Sequence, residues 1–214
     1  VVDSSSGGFS SRIGAMYEGQ VATKRLFVAI ELDEEAKGRV ASMVDSLRRS
    51  FPLEGKVVER AVRWVEAEAL HVTIASVEVP ADALYDVEDA VHAAVQNTLL
   101  KPFTLRTAQL GCFWRSAGSG WGRIPRVVWL GLEEAGLSPL LHLHRAVEDA
   151  WVEAGVGKEG QGRPLCAHVT VAKTRTGRAE MGREERRVLR ALGKWIQDSE
   201  RPLALQKALQ ERME

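Results

Sequence analysis

The 214-residue sequence predicts an α+β fold with helices packed outside antiparallel-rich sheets. Three observations predict it. Strand-like and helix-like segments interleave along the chain. Several strand-like segments are short and lack the long crossovers that a doubly wound parallel sheet needs. One strand-like segment, His71-Val-Thr-Ile-Ala, recurs as His168-Val-Thr-Val-Ala.

Residues 1–24 open with VVDSSSGGFSSRIGA, which is rich in Ser and Gly and has no period. They read as a disordered leader or a remnant of expression, with Met16 resembling a natural start. The domain is expected over residues 25–214. Arg25–Leu32 (RLFVAIEL) is a compact apolar run and reads as a buried strand. Asp33 can cap the helix that follows. Its apolar stripe is Ala36, Val40, Met43, Val44, Leu47 and Phe51, and Pro52 stops it. Val57–Val65 and His71–Val77 read as strands. Asp82 is a second candidate cap, for a helix over Leu84–Leu100. Phe103–Phe113 reads as a strand, and Trp114–Pro125 as a glycine-rich loop. Val127–Leu132 is a strand. Leu140, Leu143, Val147, Ala150, Trp151 and Ala154 mark a helix, and Gly155–Pro164 a second glycine-rich loop. His168–Thr174 is a strand. Met181 to Ile196 marks a further helix, and Pro202–Glu214 a short helix or tail.

Hydrophobic residues make up 45% of the chain, which excludes a disordered composition. The 29 basic and 29 acidic residues cancel, but local charge and not net charge decides RNA binding. Cys112 and Cys166 are too few for a disulfide framework and read as small buried apolar residues. No Cys/His spacing suggests zinc. The longest aliphatic or aromatic run, Leu26–Ile30, is far below a membrane span. A cytoplasmic protein with no membrane contact is expected, as a monomer.

The echo carries the chemistry. Four of its five positions are identical. Side chains alternate along a strand, so His71 shares a face with Thr73, and His168 with Thr170. If the two halves are related by a pseudo-twofold axis, two His and two Thr converge on one cleft. Each Thr hydroxyl can donate to a phosphoryl oxygen. Imidazole titrates near neutral pH as a residue type, so one His can act as base and the other as acid. Opening a cyclic phosphate requires such a pair, because water loses a proton as the ring oxygen gains one. Neither a metal nor a cofactor is then required.

The chain resembles the two-histidine (2H) phosphoesterases, and within them the RNA 2',3'-cyclic phosphodiesterases, also called 2'-5' RNA ligases. The likeness runs from about Arg25 to Thr174. It rests on RLFVAIELDEE, on Arg63-Trp64-Val65 ahead of Leu70-His71-Val72-Thr73, and on Arg123-Ile-Pro-Arg-Val-Val-Trp-Leu-Gly-Leu-Glu133. Leu141-His142-x-Leu-His144-Arg145 and Ala167-His-Val-Thr-Val-Ala-Lys173 complete it in order. The resemblance implies two αβ lobes related by a pseudo-twofold axis around a central cleft. It implies that His71 protonates the leaving O3', that His168 activates water, and that Thr73, Thr170 and Lys173 hold the phosphate. The substrate would be RNA ends or nucleotides bearing a 2',3'-cyclic phosphate, and the product a 2'-phosphomonoester. The reverse reaction would be ATP-independent 2'-5' joining. Three features depart from the family pattern. The first motif ends Ala75-Ser76-Val77-Glu78, Lys173 stands where the family often has Arg, and no strand is evident after the last helix.

Between Ala90 and Leu132 there is no acidic residue, and Lys101, Arg106, Arg115, Arg123 and Arg126 give that stretch a local charge of +5. Trp114 and Trp121 interleave with them. Trp114, Arg115, Trp121, Arg123 and Arg126 are therefore candidates for RNA contact, and Arg175, in a second basic set that follows Lys173, is another because it is close to the cleft. The alternative is a solvated loop with tryptophans packed on the lobe. His92 reads as a surface residue. His142 and His144 are two apart on a helix and do not share a face. Two other functions are consistent with the sequence: an RNA- or nucleotide-binding module with weak turnover, and a 2H enzyme acting on 2'-5' oligoadenylate or small cyclic nucleotides.

Overall fold

The computed structural model describes residues 22–116, 123–157, 164–175 and 182–197. The leader up to residue 21, the tip of the 114–125 loop, Trp121, Met181 and the segment Pro202–Glu214 lie outside the described residues. The α+β class is as expected, with antiparallel pairing wherever the register is defined. Among the described residues no helix is long and apolar enough to cross a membrane.

The chain divides into two compact units. The first takes the described part of Val1–Ile30, together with Thr73–Leu105 and Glu134–Ala167. In it β1 (Thr23–Glu31) neighbours β3 (His71–Pro80), with α3 (Leu84–Asn97) and α4 (Ser138–Glu153) packed on each other. The α4 face made by Leu140, Leu143, His144, Val147, Ala150 and Trp151 is buried, at the spacing that one side of a helix requires. Asp82 does not cap α3. A 3₁₀ turn over Ala81–Ala83 leads into that helix, so its N-cap is Ala83, without a side-chain hydrogen bond.

The second unit takes Glu31–Val72, Arg106–Glu133 and His168–Glu214. Strand β6 (His168–Thr174) pairs on one edge with β5 (Arg123–Leu132), which pairs in turn with β4 (Thr107–Ser116). The other edge of β6 takes β2 (Val62–Trp64) and, at Val72, the start of β3. Helix α1 (Glu34–Ser50) begins where Asp33 accepts from the Ala36 amide at 2.7 Å, and it ends at Phe51 before Pro52. Helix α5 (Arg183–Gln197) buries Val188, Leu189, Leu192, Trp195 and Ile196, and Trp195 meets Phe51 edge-on at 5.9 Å between ring centroids.

Two sequence expectations are corrected here. Val57–Val65 is not one strand, because Lys56–Ala61 forms helix α2 before the short β2. Gly55, at φ 95°, turns the chain into that helix, and Val58 and Ala61, three apart, bury one face that packs with α5. The span Trp114–Pro125 is not all loop. Strands β4 and β5 extend into a hairpin, with Trp114 opposite Pro125 and Arg115 opposite Ile124. A register irregularity between Phe113 and Trp114 accommodates Pro125, which has no amide proton to donate to a ladder.

Candidate active site

Each half of the echo lies on a strand with the same burial pattern. From His71 to Ile74 and from His168 to Val171, half-buried and buried positions alternate. The middle valines are fully buried and stand directly opposite each other, Val72 against Val169 in an antiparallel pair. Directly opposed residues share a face, and their neighbours take the other. One step along that register His71 lies across from Thr170. On its second edge Thr170 faces Trp129 of β5, and His168 faces Gly131. His71, Thr170, His168 and Trp129 therefore stand on one face of the second unit. Thr73, the first residue of the other unit, alternates in step with His71 along β3.

The two imidazoles are held differently. His71 Nδ1 lies 2.8 Å from the Ala69 carbonyl oxygen. A carbonyl can only accept, so Nδ1 carries the proton and Nε2 is the working nitrogen. His168 sits in an aromatic corner. The Phe113 ring stands perpendicular to it at 5.0 Å, and the Trp129 ring lies 5.9 Å away. Phe113 and Trp129 also touch each other, at 5.6 Å. Glycine makes this corner possible. A Cβ on Gly111, directly opposite Trp129, would fall inside contact distance of the indole, and one on Gly131 would come within 3.2 Å of it.

Lys173 also reaches this face, for a reason the sequence does not display. It is five residues after His168, so strict alternation would put it on the other side. A bulge in β6 opposite Val128/Trp129 leaves Val171 and Ala172 both buried and returns Lys173 to face Val127. Val127, Trp129 and Gly131 alternate along β5, so Lys173 joins Thr170 and His168. Buried Thr174 donates to the Pro125 carbonyl at 2.7 Å and fixes the strand end beside it.

The aromatic and basic candidates do not all gather there. Trp114 packs against Gly193 of α5, where a Cβ would approach its ring to 3.0 Å, and beside Pro125. The Arg123 guanidinium lies 5.8 Å over the same ring. Arg115, Arg126 and Arg175 are exposed on β4, on β5 and after β6. His92 and His142 are exposed on their helices, whereas His144 is buried. Its Nδ1 donates to the Ile74 carbonyl at 3.0 Å, and its Nε2 lies 3.3 Å from Glu148, so α4 is tied to β3 beside the first motif. The expectation of two buried cysteines is corrected. Cys166 is exposed, and Cys112 is half-buried on β4. Burial pushes the Cys112 thiol up to about 11, against a smaller opposing pull from Arg123, so it is a poor nucleophile at neutral pH.

Against known proteins, the model of the 2'-5' RNA ligase superfamily matches residues 36–206. The chain belongs to that superfamily. Its members are 2H phosphoesterases, as the sequence resemblance implied. Among solved structures, Escherichia coli LigT complexed with 3'-AMP is 26% identical over 71% of this chain and 74% of its own, with a TM-score of 0.47. Apo E. coli LigT is 24% identical over 75% and 77%, with a TM-score of 0.48. The Thermus thermophilus protein TT0787 is 25% identical over 73% and 77%, with a TM-score of 0.47. It is the superfamily match that carries the assignment. No curated protein matches the sequence.

Proposed function

We propose that this chain hydrolyses terminal 2',3'-cyclic phosphates of RNA to 2'-phosphomonoesters, with His71 as acid and His168 as base. The observation that carries this reading is the Val72–Val169 pairing, by which His71 and the His168–Thr170 strand share a face of the second unit. In the reaction a water oxygen attacks phosphorus and the P–O3' bond breaks. The water proton passes to His168, and a proton passes from His71 Nε2 to O3'. The result is a 2'-phosphate and a free 3'-hydroxyl. The Ala69 carbonyl holds Nδ1 of His71 and so leaves Nε2 turned outward for the proton transfer. Thr170, on the same face, donates to a non-bridging oxygen. Run in reverse with an RNA 5'-hydroxyl in place of water, the same groups exchange roles and form a 2'-5' linkage.

The test is incubation of an RNA bearing a 2',3'-cyclic phosphate with the protein in EDTA, followed by determination of the phosphate position. Conversion to the 2'-phosphomonoester is expected. A 3'-phosphomonoester, or no turnover of this end, would contradict the reading.

A further inference from the structure

Strand β2 places Arg63 directly opposite Lys173, with Val127 on the far side of Lys173. Opposed residues share a face, so Arg63 lies on the same face as His71, Thr170 and His168. Arg63 and Lys173 are both exposed. Among the described residues neither makes an ion pair or a side-chain hydrogen bond. Like charges directly opposite each other destabilise a sheet, and here no carboxylate among the described residues offsets them. The β6 bulge, which costs ladder regularity, is what brings the second charge there. A fold that sets two cations together without a counter-charge is built for an anion.

We propose that Arg63 and Lys173 form a second anion subsite, which takes the phosphodiester one nucleotide upstream of the reacting cyclic phosphate. This rests on the proposed function and adds a substrate class to it: strands of two or more nucleotides are preferred over mononucleotides. Lys173 lies three residues along β6 from Thr170, less than about 10 Å at ordinary strand rise with a bulge between. One nucleotide of an extended strand covers such a span. A cyclic phosphate ends the strand, so the neighbouring phosphate is the one on the terminal nucleoside's O5'. Arg63 offers it a planar fork of donors, and Lys173 a point charge.

The probes are uridine 2'-monophosphate and the dinucleotide UpU carrying the same terminal 2'-phosphate. Wild type should bind the dinucleotide about tenfold more tightly, as a charged hydrogen bond at the low end of its range would give. Arg63→Gln should abolish that gain while leaving the mononucleotide within about twofold. The slope of log K against log salt for the dinucleotide should fall by about 0.7, one single-strand phosphate. Without ligand, the melting temperature of Arg63→Gln should hold or rise, because a repulsion is removed. Equal losses on both probes would assign Arg63 to the terminal phosphate and overturn the proposal. No preference in wild type, no loss in the variant, or a lower melting temperature would overturn it too. If the dinucleotide preference holds while cyclic phosphate is not hydrolysed, it is the proposed reaction that fails and the subsite stands.

Discussion

Strands β3 and β6 carry nearly the same five residues, yet the two histidines live in different surroundings. His71 is tethered through Nδ1 to the backbone of its own approach turn. His168 is shaped by rings from β4 and β5, and its neighbour across β5 is a glycine. β6 is bulged two residues past its triplet, which redirects Lys173. A duplicated motif thus fixes which chemical groups are present. Its shell decides what each does. A carbonyl on Nδ1 fixes the ring of His71 and turns Nε2 outward.

The comparison is broken most directly at the imidazoles. His71→Ala and His168→Ala should each lower kcat by about 10²–10⁴-fold, the usual contribution of a positioned acid or base. Both residues are half-buried and outside the apolar core, so the fold should persist by circular dichroism. Near-wild-type turnover of either variant would remove that histidine from the mechanism.

A smaller effect sharpens the difference between the shells. In Gly111→Ala the new methyl group collides with the Trp129 indole and displaces it from His168. The overpacking should cost about 1–3 kcal/mol in denaturant unfolding. kcat should drop, though by less than in His168→Ala. Unchanged stability and turnover together would mean that the aromatic corner does not hold His168 in place.

Much of this was legible before folding. The bounds of β6 follow directly from the apolar alternation of His168–Thr174, and the Asp33 cap and the α4 stripe follow from local rules that tertiary packing did not override. The two histidines stand out as a candidate pair because a five-residue echo carries information that one triplet does not. Other features belong to neighbours and not to the local sequence. Val57–Val65 looks like a strand until Val58 and Ala61 find α5 as a helical face. Trp114 looks like a base-stacking residue until Gly193 lets α5 close over it. Trp129 was within reach: an aromatic on a strand with Gly111 opposite it and Gly131 two residues along suggests a ring laid over a bare backbone. The placement of Lys173 and Arg63 depends on a bulge and a register, and neither leaves a mark in the residues that form it.

The division of labour between the two imidazoles is tested most directly by pH–rate profiles of cyclic-phosphate opening for wild type, His71→Ala and His168→Ala. One histidine must be neutral and the other charged, so the wild-type profile should be a bell whose two limbs belong to the coupled pair. Loss of the acid should abolish the fall at high pH, so the residual rate of His71→Ala should climb as pH rises. Loss of the base should abolish the low-pH limb, so the residual rate of His168→Ala should not rise with pH across that range. A wild-type rate that climbs steadily to high pH, or two variants that keep the same bell, would contradict the account.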